Sequence, residues 1–197
     1  MYLSLYYFGP IPYFQQLVKE KNIVFDIHEK YNKQTWRNRC VILSANGKLT
    51  LSIPVNRPNG KDTLMHEVLI SDKEDWRKDH WKSIESAYSH APYFFFYGEQ
   101  IKEIIYQDYT YLYEINLAII AKIKEWLDLM INYSLSRSFL EVDASSTTRF
   151  QFEKKELTES QNPYIQVFSD KLPFHPNLSI LDLIMNLGPI ARNYLTL

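Results

Sequence analysis

Lys33, Gln34, Thr35, Arg37, Asn38 and Arg39 all fall within KYNKQTWRNRC, residues 30–40. Together they offer an ammonium, two guanidinium forks, two amides and a hydroxyl, a donor set suited to phosphate or carboxylate. The β-prone VIL follows directly, which makes the two arginines the start of a strand. Side chains two apart on a strand share a face at about 7 Å spacing, so Arg37 and Arg39 are expected to converge on one anionic group. A helix would separate them. The competing reading is an exposed loop and strand start whose charges meet water or nearby carboxylates. Asn38 points to the opposite, apolar face, where an unpaired amide would cost about 1–3 kcal/mol, so it needs specific partners and is read as structural.

His80 is the second candidate, on the apolar stripe of a helix with Trp76 and Trp81. It is either a satisfied core histidine or a general acid or base working beside the arginine strand. His28 and Glu29 end the second strand and are read as able to reach the same mouth. Cys40 alternates away from the arginines and reads as a small buried hydrophobe, against the alternative of a cation-activated nucleophile. His66, His90 and His175 show neither HExxH nor paired spacing, so no metal site is expected. Walker, GxGxxG and GxSxG motifs are lacking, and the cofactor is left unknown.

Several elements must position these groups. YLSLYYF (2–8) and NIVFDIHE (22–29) read as strands flanking a helix that starts at Tyr13, a βαβ-like unit. Asn46-Gly47 between two β-prone runs signals a tight hairpin. With those two as the loop, Leu43 faces Thr50, Ile42 faces Leu51 and Cys40 faces Ile53, giving a core face of Trp36, Asn38, Cys40, Ile42, Leu51, Ile53 and Val55. Residues 56–66 read as a turn-rich loop, and HEVLI (66–70) as a short strand. Ser71 with Glu74 three residues on forms a capping box for a helix carrying Trp76, His80, Trp81, Ile84 and Tyr88 on one stripe. Two more helices follow, YFFFYGEQIKEIIY after Pro92 and one from near Thr110 to Met130. Strands are expected near 139–142 and at IQVF (165–168), with turns at 145–148 and 162–163. Ser179 and Gly188-Pro189 start and stop a last helix. The fold class expected is α/β or α+β: a small mixed sheet covered by three or four helices.

The bulk numbers suit one domain spanning 1–197, with 46% hydrophobic and 15% aromatic residues. Its parts read as sheet-rich over 1–70, helical over 71–130 and mixed over 131–197. A net charge of -1 argues against a nucleic-acid partner. No secretory signal or membrane span is legible, and the single cysteine suits a reducing compartment, so a cytoplasmic location is expected.

YYFGPIPYF, KQTWRNRC with ANGKLTLSIPV, ISDKEDWRKDHWKSIESAYSHAPYFFFY and PNLSILDLIMNLGP occur in an order and spacing that resemble the WbqC-like family of bacterial proteins, most closely its short Bacteroides-type branch. The resemblance implies work in surface polysaccharide or O-antigen metabolism, on a sugar, nucleotide-sugar or acylated precursor. It also implies Lys33 and Arg39 as ligand contacts, with Gln34 and Thr35 beside them, Arg37 as auxiliary clamp and Asn38 as organiser, and it places His80 in a matching W-x-x-x-H pattern. Longer members open with His-Gln-Pro where this chain has Leu3, Ser4 and Leu5, and they tend to have Gln at the place of Arg37. The expected function is binding of an anionic small molecule, with group transfer by an enzyme or a non-catalytic assembly role as the two forms it could take.

Overall fold

The computed structural model describes residues 1–139 and 161–197. It is an α+β fold. Strand β1 (Tyr2–Leu3), helix α1 (Ile11–Lys19) and strand β2 (Ile23–Phe25) form the expected βαβ unit. Both strands are parallel, and β7 (Tyr133–Leu135) joins as a third parallel strand, in the order β1-β2-β7.

The first strand is far shorter than the apolar run suggests. From Ser4 to Pro10 the chain is buried but irregular, with Phe8 at φ +40°. Buried main chain still needs hydrogen-bond partners, and side chains supply them. The Tyr13 hydroxyl donates to Ser4 O (2.9 Å), Asn116 Nδ2 to Leu5 O (3.3 Å) and the Ser179 hydroxyl to Phe8 O (2.7 Å). Strand β2 stops early for a local reason: the Asp26 carboxylate accepts the His28 N–H at 2.9 Å, turning the chain out of the sheet.

The hairpin is β3 (Arg39–Ser44) against β4 (Gly47–Ser52). Leu43 pairs with Lys48, Ile42 with Leu49 and Cys40 with Leu51, two residues out of the expected register. The loop residues are Ala45 and Asn46, and only Gly47 takes positive φ, at +101°. Asn-Gly therefore marks the hairpin but not a turn with both residues at positive φ; the two-residue loop ends at Asn46, and the glycine follows it as the first residue of β4. A slip of two residues preserves which side chains share a face, so Cys40, Ile42, Leu51 and Ile53 are all buried as expected. Arg37 lies outside the strand, in a turn closed by Asn38 N–H to Thr35 O at 3.4 Å, so strand alternation does not govern where it points. Beyond the hairpin, β5 (Val55–Asn56) pairs antiparallel with β6 (Leu69–Ile70).

Helix α2 (Trp76–Tyr88) has Asp75 at its N-cap, four residues later than the Ser71 capping box implies. The Ser71 N–H donates to Pro54 O at 2.9 Å, tying that stretch to the hairpin exit, and this tertiary bond overrides the local cap. Helices α3 (Phe94–Tyr106) and α4 (Leu112–Trp126) pack beside it; α4 ends before Met130, which is 81% exposed rather than inward. Helix α5 (Ile180–Leu187) starts and stops as the sequence indicates, with Ser179 Oγ accepting the Leu181 N–H at 3.2 Å and Gly188 at φ +56°. A short α6 (Ala191–Leu195) closes the chain.

IQVF (165–168) is turn and coil, not strand. Its Gln166 amide engages the His175 main chain in both directions, at 3.0 Å each, which folds the segment back on itself. The strand expected at 139–142, apart from its first residue, and the turn at 145–148 lie outside the described residues. One buried cluster runs from Leu3 through the hairpin face to α5. Among the described residues no helix is long and apolar enough to cross a membrane.

Candidate functional site

The two arginines part company. Arg37 is 0% exposed and its fork closes on Glu29, with Nε to Oε1 and Nη2 to Oε2 both at 2.8 Å. Nη2 also donates to Ser4 Oγ at 2.8 Å and Nη1 to Thr35 Oγ1 at 3.2 Å, while Ser4 Oγ donates to Glu29 Oε2 at 3.0 Å. A buried guanidinium requires such a bidentate, fully bonded carboxylate, because an unpaired buried charge is severely penalised. The expected co-facing pair is therefore not formed. Arg37 instead clamps Ser4, just after β1, and Glu29, in the loop after β2, against the turn that holds Thr35. Asn116 Nδ2 fixes the same turn by donating to Arg37 O at 2.9 Å.

Arg39 faces a separate open hollow of about 380 Å³, bounded by the 31–39 segment, the end of β4 and the start of the next loop. Lys33, Arg39 and Arg57 line it with Gln34 and Asn38, and Glu74 is the single carboxylate on its wall. Among the described residues none of these three cations forms an ion pair, whereas Lys30, Arg77 and Arg192 all do. Arg39 Nε and Asn38 Oδ1 are buried with no hydrogen-bond partner, although Asn38 Nδ2 donates to Ile53 O at 2.8 Å. Burial pushes the Tyr31 hydroxyl up to about 12, against the pull of Arg37, Arg57 and Arg39, so three guanidiniums act on this one ring. Gln34 stands at φ +60° at the lip, a strained setting for a non-glycine residue.

Arg57 is the partner that sequence reasoning missed. It lies in the turn-rich loop, eighteen positions from Arg39, and comes to the hollow because β5 is drawn back against β6. No local pattern marks it. Ser4 is equally silent in the sequence, since its role depends on a buried pair elsewhere.

His80 is buried at 3% exposure. Its Nδ1 lies 2.9 Å from the Tyr7 hydroxyl, its ring meets Trp76 edge-on at 5.1 Å, and it hydrogen-bonds the Ser52 backbone. Burial drives its pKa down to about 4, against the smaller upward pull of the Ser52 bond and Asp79. The ring is thus neutral near pH 7 and supports the Ser52 end of β4 without lining the hollow. Cys40 is buried with its thiol pushed well up by desolvation, which leaves it inert as a nucleophile.

A further polar cluster surrounds Asp182, in the first turn of α5. It is fully buried and accepts from Tyr88 Oη (3.0 Å), Tyr164 Oη (2.5 Å) and Gln166 Nε2 (3.1 Å). Burial raises its carboxyl pKa while those three hydrogen bonds oppose the rise. It fastens the 161–177 segment to α2 and α5.

The uncharacterized protein Rv1507c of Mycobacterium tuberculosis is 27% identical over 202 residues, covering 88% of this chain and 86% of that one. No solved structure matches. The WbqC-like protein family matches residues 5–157, a span that holds Glu29, Arg37, the hollow and His80. On that match the chain belongs to the WbqC-like protein family.

Proposed function

We propose that the protein binds an anionic, sugar-linked small molecule in the Lys33–Arg39–Arg57 hollow and serves bacterial surface polysaccharide metabolism, with the whole chain working as one unit. The observation that carries this is three cations with no ion pair among the described residues around one cavity, two of whose lining residues, Arg39 and Asn38, each keep a buried polar atom, Nε and Oδ1, without a hydrogen-bond partner. Buried polar atoms without partners are rare in native proteins, and a small turn of the two side chains toward the hollow would bring both to a phosphate or sugar hydroxyl. A hollow of about 380 Å³ lies in the size range of small-molecule sites rather than of a nucleic-acid groove. Gln34 shapes the lip, Asn38 lines the wall, and Arg37 with Glu29 and Thr35 holds the turn from beneath.

Two forms of this function separate by experiment. Calorimetry with nucleotide-sugars, sugar phosphates and acyl donors should show binding to wild type that weakens at least about tenfold in Arg39→Ala and Arg57→Ala, and that fades with salt as exposed charge pairs do. If a group is transferred, His80→Ala loses turnover while retaining binding. A binding or assembly factor shows no turnover and no dependence on His80. The position of His80, turned to Tyr7 and Ser52 rather than to the cavity, favours the second form. Folded Arg39→Ala and Arg57→Ala proteins that bind every such ligand as wild type does would place the site elsewhere.

A further inference from the structure

At the carboxyl ends of the parallel strands a second polar constellation forms. Asp26 follows β2 and Ser136 follows β7, and the Ser136 N–H extends the ladder to Phe25 O at 2.9 Å. Open α/β sheets hold ligands at this edge. Two loops are laced together just beyond it: His66 N–H donates to Ile27 O, Met65 N–H to Glu29 O and Tyr31 N–H to Thr63 O, each at 2.9 Å. That lacing brings the half-buried rings of His28 and His66 to 4.6 Å between centroids, inclined at 50°.

The hydrogen bonds fix both tautomers. Ser136 Oγ donates its only proton to Asp26 Oδ1 at 2.9 Å, so it can only accept from His28 Nδ1, also at 2.9 Å. His66 Nδ1 lies 3.0 Å from Ile27 O, a carbonyl that can only accept. Both rings therefore carry their proton on Nδ1, and each Nε2 keeps a lone pair with no partner among the described residues.

We propose that His28 and His66 bind a divalent cation of the zinc class through their two Nε2 atoms, with water or a ligand oxygen in the remaining positions. Metal-ligating histidines characteristically donate the other ring N–H to a carbonyl or a carboxylate-linked group, which fixes tautomer and orientation. His66 does so to Ile27 O, and His28 does so through Ser136 to Asp26. Imidazole pairs suit zinc, nickel and copper rather than magnesium or calcium. Among the described residues no third histidine, cysteine or carboxylate joins them, so the site is open and far weaker than a closed four-ligand structural site. The two residues stand 38 positions apart, a spacing no sequence motif captures.

Calorimetric titration of Zn²⁺ into the metal-free full chain at neutral pH should show a single bound equivalent. His28→Ala and His66→Ala should each weaken it by at least about tenfold, as should Ser136→Ala by releasing the His28 ring. His90→Ala and His175→Ala should bind as wild type does. In long-range proton–nitrogen spectra of the wild-type protein, which need no variant to fold, Zn²⁺ should move the Nε2 resonances of these two rings most. No binding at millimolar Zn²⁺, undiminished binding in the His28→Ala/His66→Ala double variant, or a response on Nδ1 instead would each overturn the assignment.

Discussion

Arg37 and Arg39 carry the same side chain two residues apart, and their environments assign them opposite work. Arg37 has lost all contact with water and depends on Glu29. Removing one member of a buried pair strands the other charge, so Arg37→Ala should lower unfolding free energy by about 3–5 kcal/mol. Urea denaturation would check this, with Arg39→Ala expected to stay close to wild type in stability while losing ligand. His80 adds a pH signature. Its folded pKa of about 4 lies below the ordinary 6.5, so the unfolded state binds the extra proton. The contribution is fully present above pH 6.5 and drains away as pH falls toward 4, about 3 kcal/mol in all. Urea midpoints measured between pH 7 and pH 4 should show that slope in wild type and a flatter profile in His80→Gln.

Elements that begin and end on local chemistry behave differently from those held by distant contacts. Ser179 both caps α5 and donates to Phe8 O, so Ser179→Ala should cost about 1–2 kcal/mol. Ser71, read from the sequence as a cap, uses its backbone on Pro54 instead, and Ser71→Ala should cost far less. Chemical denaturation of the two variants side by side distinguishes a real cap from an apparent one. Gly188 is constrained twice: its φ is +56°, and an added Cβ would come within 2.3 Å of the Tyr93 ring. Gly188→Ala should therefore depress the melting temperature more than Gly47→Ala, where a Cβ meets nothing within 4 Å and only the backbone penalty of about 1–2 kcal/mol applies. For the same reason the hairpin survives a two-residue error in register: burial of Cys40 and Ile42 constrains parity, and the turn chooses among registers of equal parity.

Across the whole molecule, Asp182 links regions that no single element could join. It receives Tyr88 from α2 and Gln166 from the 161–177 segment in the dry interior, and the half-buried Tyr164 from the same segment. Deleting the acceptor strands the buried Tyr88 hydroxyl and one N–H of the Gln166 amide, each costing about 1–3 kcal/mol where water cannot replace it, and frees Tyr164. Asp182→Ala should thus accelerate amide exchange across residues 161–177 more than in α4, a contrast that mass spectrometry can read. Equal acceleration everywhere would mean that the cluster stabilises the fold globally rather than fastening that segment.

The amino-acid sequence by itself determined the βαβ opening, the existence and parity of the hairpin, the cores of α2 to α5 and the polar stretch that borders the hollow. These rest on spacing, turn chemistry and caps, which act between residues a few positions apart. Only the tertiary structure decided which arginine stays free, that Arg57 completes the cationic ring, where α2 begins and that His28 meets His66. Each of those outcomes is set by partners remote along the chain: Ser4 is 33 positions from Arg37, and Ser136 is 108 from His28. A charge or an imidazole takes its role from what surrounds it once water is removed, and that neighbourhood is created by folding.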